Sequence, residues 1–240
     1  MKTRAKRPAK VASRSGRTRL WLWRVIRWIG VGVAAFYALA CLSLGYLRFF
    51  RPLTTGVQIE RRVQAMFTRK PYQKRSEWVP LASISPNLQH AAIAAEDARF
   101  YQHHGIDWTE VSKVAEESLE EGEITRGGST ITQQLVKNLF LTTSRSPIRK
   151  AVEFALIPPT ELLLSKDRIL ELYLNVIEWG PGVYGAEAAA RYYYHTTSAR
   201  LTRNEAVRLA AIIPSPKRRK PERMNDYAGK IEIRMQQMGW

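Results

Sequence analysis

Twenty consecutive residues, Trp28 to Leu47, carry no charge, and this run constrains the chain more than any other feature. As a helix it covers about 30 Å, the thickness of a bilayer's hydrocarbon core. Ahead of it, residues 1–27 hold ten Lys or Arg and no Asp or Glu, in a 240-residue chain of net charge +17. A basic flank of this kind stays cytoplasmic, and Trp21, Trp23 and Trp28 at one end with Tyr46, Phe49 and Phe50 at the other suit interfacial belts. The pattern predicts a basic cytoplasmic tail over 1–27, a single transmembrane helix over 28–47 and a membrane-proximal linker over 48–77. A domain over 78–240 then lies outside the cytoplasm, anchored to the inner membrane.

Two rival readings of the N-terminus are weaker. A basic tail alone would fit nucleic acid, but the adjoining apolar run makes topology the simpler cause, so no nucleic-acid partner is expected. Ala38-Leu39-Ala40 resembles a signal-peptide cleavage site, yet Leu42 to Leu47 continues the apolar run where a mature terminus would turn polar. Cys41 is the only cysteine, which excludes an internal disulfide.

The remaining pattern is helical. Residues 51–80 show no clean period apart from an amphipathic piece near Val57 to Phe67. Ser85-Pro86 supplies an N-cap and a first-turn proline, with Leu88, Ala91, Ala92 and Ala95 on one face and Glu96 at the end. Further helices are predicted over Asp107 to Glu121, Ser129 to Leu141, Pro147 to about Leu156, and Ser165 to Val176. Gly180, Gly182 and Gly185 mark a loop before the Ala-rich segment Ala186 to Tyr194. Thr202 and Glu205 form a capping box opening a helix through Ile213, which Pro214 and Pro216 stop. No alternating strand is evident, so the fold class is mainly α.

Candidate chemistry is concentrated in three segments. Glu96 follows Ala-Ala-Ile-Ala-Ala, and burial among such residues raises a carboxyl pKa from ~4.3 towards the range of a proton-transfer group. A solvated helix-end Glu is the alternative. Phe100 could form one wall, with Asp97 and His103 capping or positioning; the four His lack metal-ligand spacing. Gly127 and Gly128 permit an unusual backbone before Ser129 and Thr130, either of which could cap the next helix. That helix carries Gln133, Gln134, Lys137 and Asn138 at helical spacing, a polar face suited to a phosphorylated sugar. Arg145, Arg149, Lys150 and Glu153 make either a surface ion-pair cluster contributing well under ~1 kcal/mol per pair or a cationic pocket for a diphosphate.

The ordered motifs resemble those of the monofunctional biosynthetic peptidoglycan glycosyltransferases. Glu96, Asp97, Phe100, His103 and Gly105 match a Glu-Asp-x-x-Phe-x-x-His-x-Gly motif, and Gly127 through Asn138 match Gly-Gly-Ser-Thr-Ile-Thr-Gln-Gln-Leu-x-Lys-Asn. Arg149, Lys150 and Glu153, then Ser165 through Asn175, match a third. The resemblance covers about residues 78–216. It implies a lysozyme-like α-helical glycosyltransferase domain with a hydrophobic lower part near the membrane. The implied reaction polymerises lipid II into β-1,4-linked glycan by a single inverting displacement that expels undecaprenyl diphosphate.

By motif position the resemblance makes Glu96 the general base on the acceptor hydroxyl. Glu153 would assist the leaving diphosphate, directly or through a divalent cation, Mg or Mn, no cofactor being tightly bound. Lys137, Arg145, Arg149 and Lys150 would neutralise its charge, and Ser129, Gln133, Gln134 and Asn138 would line the donor site. Implied partners are lipid II, the nascent glycan chain, the bilayer and other cell-wall synthesis and division proteins. Two departures stand out: Pro158-Pro159 should break the helix that starts at Pro147, and His195-Thr196 stands where relatives often place a Lys.

A lysozyme-like hydrolase would also present a helix-borne Glu, but its substrate gives no use to the Lys137, Arg145, Arg149 cluster. A membrane-tethered scaffold would not depend on Glu96. No Ser-x-x-Lys occurs, so a penicillin-binding transpeptidase domain is not expected.

Overall fold

The structure, a computed structural model, describes residues 14–69, 71–121 and 128–240. The start of the basic tail, Gly127 and the expected helix stop at Gly122 lie outside the described residues. The chain divides into two compact units, Met1–Ala40 and Cys41–Trp240. Helix α1, Arg14–Leu47, contains the uncharged run, and its segment Trp21–Leu47 is long and apolar enough to cross a membrane. The helix starts ahead of the apolar run because Arg and Trp are compatible with helix and residues 14–27 hold no proline.

The second unit begins inside the last turns of α1. Leu44 and Leu47 are buried in its core. At the end of α1, Arg168 donates to the carbonyls of Leu47 (2.8 Å) and Phe50 (2.7 Å), a cation on orphan helix-terminal acceptors. The amphipathic piece forms α2, Gly56–Thr68, capped by Thr55. Then come α3 (Pro86–Glu96), α4 (Trp108–Glu121), α5 (Ile131–Phe140), α6 (Pro147–Leu163), α7 (Lys166–Val176), α8 (Ala186–Tyr194), α9 (Arg203–Ile212) and α10 (Asn225–Gln237). Helices α3, α9 and α10 pack together, and α5 lies against both α6 and α7, so the core reaches from Leu88 and Ala92 through Leu135 to Leu170 and Tyr173.

Several local outcomes refine or depart from the sequence pattern. Ser85 stands at the N-cap position of α3, but its hydroxyl donates to Leu201 O (3.1 Å) rather than capping. Of the two candidate caps for α5, Thr130 takes the position, in a capping box with Gln133. Helix α6 runs through Pro158 and Pro159 to Leu163 instead of ending near Leu156. The two prolines leave the carbonyls of Phe154 and Ala155 without helical donors, and both residues are exposed, so the interruption falls on the outward face while Thr160 back-bonds to Leu156 O (2.7 Å).

Three very short strands also form where none was expected: β1 (Arg75–Ser76), β2 (Glu178–Gly180) and β3 (Val183–Tyr184), in the order β1-β3-β2. Strand β3 pairs parallel to β1 and antiparallel to β2. Gly182 makes the turn at φ +76°, where an added Cβ would lie 2.4 Å from Gln73 O. Strands of two or three residues are too short to display a period of two, and all three residues of β2 are buried.

Candidate active site

Glu96 ends α3 and is partly buried. Its Oε2 accepts a hydrogen bond from Nε2 of Gln134 on α5 (2.6 Å), whose Oε1 accepts from the hydroxyl of Tyr173 on α7 (3.1 Å). Burial raises the pKa of Glu96 above the usual carboxylate value, opposed by the Gln134 hydrogen bond and the charges of Lys137 and Arg219, while the negative charge of Asp97 adds to the rise. The group is thus a proton acceptor of enhanced basicity, with cations close by.

Asp97 holds α3 and α5 together. Its Oδ1 lies 2.8 Å from His103 Nε2, and its Oδ2 accepts from the backbone N–H of Ile131 (3.0 Å), the first residue of α5. Gly105 N–H donates to Nδ1 of His103 (3.1 Å), so Nε2 carries the ring proton that reaches Asp97. Gly105 sits at φ +86°, where a Cβ would meet Ile157 Cγ2 at 2.2 Å, and its carbonyl accepts from Thr130 Oγ1 (2.6 Å). The motif therefore closes a hydrogen-bonded loop that seats an anionic carboxylate at the positive end of α5. Asp107 joins Asp97 and His103 in a buried group, its Oδ1 capping α4 through the N–H of Glu110.

One turn along α5 the charge reverses. A cavity of about 90 Å³ is lined by Ser129, Gln133, Gln134, Lys137, Arg149, Lys150 and Glu153. The carboxylate of Glu153 is buried and pairs with Arg149 Nη1 (2.5 Å) and with Lys150. Nζ of Lys150 is also 3.5 Å from Ser129 Oγ. Burial lowers the pKa of Lys137; Glu153 and Glu96 raise it, and Arg149 and Lys150 add to the lowering. Three cations against one carboxylate leave this cavity cationic and suited to a multiply charged anion.

Comparison with known proteins gives this geometry its family. A family model described as Transglycosylase matches residues 61–238. A biosynthetic peptidoglycan transglycosylase of Laribacter hongkongensis is 44% identical over 200 residues, 80% of this chain and 88% of its own. One of Thiobacillus denitrificans is 46% identical over 205 residues, covering 82% and 86%, and one of Chromohalobacter salexigens is 39% identical over 226 residues, covering 92% and 96%. The chain belongs to the transglycosylase family. It is a glycosyltransferase, with the helical, lysozyme-like domain implied by the motifs.

In this transglycosylase most of the residues singled out in the sequence converge, with three differences of placement. Gln133 contacts the cavity but commits its side-chain oxygen to Thr130 N–H (3.0 Å). Asn138 donates to Gln134 O (2.8 Å) and lines a second, adjoining cavity of about 260 Å³, which shares Gln134 and Lys137 with the first. Arg145 is exposed before α6 and has no ion-pair partner among the described residues. Phe100 is fully buried, with Lys166 Nζ 4.6 Å from its ring centroid.

Other residues around the candidate site were not legible. Tyr173 sits on an apolar helix face and reads as core, and its hydroxyl finds Gln134 only through packing. Arg219, whose charge acts on Glu96, lies in a run of basic residues after α9 that looks like solvated surface. Arg61 and Lys217, on the second cavity, belong to no motif.

Proposed function

We propose that the protein polymerises lipid II into β-1,4-linked glycan strands of peptidoglycan, releasing undecaprenyl diphosphate by inverting transfer with Glu96 as general base. The observation that carries this reading is the juxtaposition through Gln134 of a basic, partly buried carboxylate and a cationic cavity. The acceptor's 4-hydroxyl would give its proton to Glu96 as its oxygen bonds to C1 of the donor. The C1–O bond to the diphosphate would break in line, its electron pair passing to the diphosphate beside Lys137, Arg149 and Lys150.

Glu153 acts in this scheme by holding Arg149 and Lys150 in place, since both cations converge on its carboxylate. A divalent cation does not suit this donor set. Mg²⁺ or Mn²⁺ seeks about six oxygens, whereas the cavity's one carboxylate already carries two cations and a third lies beside it. In this scheme side chains meet the diphosphate charge.

The uncharged outward face of α6, formed by Ile148, Ala151, Phe154, Ala155, Pro158 and Leu162, supports a membrane-side position for the polyprenyl chain. With α1 as a single-pass anchor and its basic flank cytoplasmic, the domain acts outside the cytoplasm at the inner membrane, in reach of the nascent glycan and of other cell-wall synthesis and division proteins. The test is incubation with labelled lipid II, followed by gel separation and muramidase digestion. Muramidase-sensitive polymer from the wild type and none from Glu96→Gln supports the reading; equal polymer from both overturns it.

A further inference from the structure

We propose that Tyr173 is a positioning residue that sets the orientation of the Gln134 side-chain amide, and through it the protonation state in which Glu96 rests. This rests on the general-base reading of Glu96. An ionised carboxylate only accepts hydrogen bonds, so it requires the NH2 of Gln134 and is repelled by its carbonyl oxygen. Carboxamide atoms differ little in shape, so their orientation is decided by what surrounds them. Here Nε2 faces Glu96 Oε2 at 2.6 Å and, more distantly, Ser129 O at 3.5 Å. On the other side Oε1 receives the Tyr173 hydroxyl at 3.1 Å.

Tyr173 is fully buried at the packed face between α5 and α7, so its ring cannot swing away and its hydroxyl oxygen stays beside Oε1 of Gln134. Burial first, then the charges of Glu96 and Asp97, push its pKa well up, which keeps it a protonated donor at working pH. The other charges acting on Glu96 are Lys137 from α5, Arg219 from the segment after α9, and Asp97 next in the chain. None of these selects between the two amide orientations as a hydrogen-bond donor to Oε1 does.

Phenylalanine at 173 keeps the ring and removes that donor. The amide is then free to rotate, and its carbonyl pairs with Glu96 only when the carboxyl is protonated. The protonated form gains and the base titrates at higher pH.

The experiment compares kcat and KM of the wild type and Tyr173→Phe on labelled lipid II between pH 5 and 9, with thermal melting as the folding control. A ¹³C-NMR titration of the Glu96 carboxyl reads the same pKa without turnover. The expected result is an acid limb of kcat moved up by about one pH unit, with KM unchanged, kcat recovering at high pH and the carboxyl titration moving in step. In a Gln134→Met background, which lacks the amide, Tyr173→Phe should move neither. A carboxyl titration that does not shift, or kcat lowered equally at every pH, overturns the proposal. A shifted titration beside a rate profile that ignores it upholds the positioning and places the failure in the general-base reading.

Discussion

Gln134 donates to Oε2 of Glu96 at 2.6 Å from a position 38 residues further along the chain. The bond links the end of α3 to the middle of α5, and so joins the proposed base to the helix that carries Lys137. Both segments are recognisable in the sequence, but their mutual reach is a property of the packing between α3, α5 and α7.

Glu96→Gln lowers turnover by ~10²- to 10⁴-fold while leaving the fold intact. A carboxyl whose folded pKa lies above its unfolded one binds more protons when folded, so its ionisation costs stability once pH passes the unfolded value. The neutral amide escapes that cost. Melting temperatures should place the variant at or above the wild type at pH 7, with the difference shrinking as pH falls below the ordinary carboxylate range.

Arg149→Ala raises KM for the diphosphate-bearing donor more than it lowers kcat, and the effect weakens with added salt because screening already reduces the attraction. Glu153→Gln acts differently. It leaves Arg149 and Lys150 without their shared counter-charge, costing roughly 1–3 kcal/mol of stability, less than a fully buried pair because Lys150 is about a third exposed. Chemical denaturation of both variants separates the two effects; a Glu153→Gln protein as stable as the wild type would remove the argument.

Asp97→Asn lowers melting temperature and kcat together. An amide can satisfy either His103 or the Ile131 N–H but presents no negative charge to the start of α5. Gly105→Ala is more damaging, since it strains a φ of +86° and drives a methyl into Ile157. Wild-type stability for either variant would show that the loop does not brace α5.

Pro158→Ala and Pro159→Ala are tolerated, with polymerisation retained and the melting temperature within a few degrees of the wild type. The helix already passes through both positions, and alanine supplies the missing N–H for an exposed carbonyl while releasing some unfolded-chain entropy. Loss of activity in the double variant would instead assign the prolines a role beyond the helix.

Removing residues 1–40 preserves the folded second unit, whereas removing residues 1–50 strips Leu44 and Leu47 from its core and the carbonyls that Arg168 caps. Burial of two leucines contributes several kcal/mol, so the shorter chain should melt earlier. On liposomes both truncations polymerise less than the full chain, and in detergent the 1–40 truncation matches it.

Local chemistry explains how much could be read without coordinates. The uncharged run, the Pro86 start of α3, the Thr202–Glu205 box and the periodic faces of α5 and α7 follow from interactions within four residues, and such signals lie in the sequence itself. The motif residues Glu96, Lys137, Arg149, Lys150 and Glu153 likewise declared their chemical types. Partners far apart in the chain were a different matter. Tyr173 became a hydroxyl donor to Gln134, Arg145 fell outside the cationic cavity, Asn138 turned to a neighbouring one, and Leu44 and Leu47 joined the domain rather than ending as anchor. Those outcomes depend on which helix faces meet, and α6 crossing its prolines depends on which face meets nothing. The sequence alone determined most of the helices, though neither the full length of α6 nor α10, and the reactive groups they carry, because those depend on neighbours within a turn. Only the tertiary structure decided which groups share a cavity and which way the Gln134 amide points, because a hydrogen bond spanning 38 residues exists only after the intervening helices have packed.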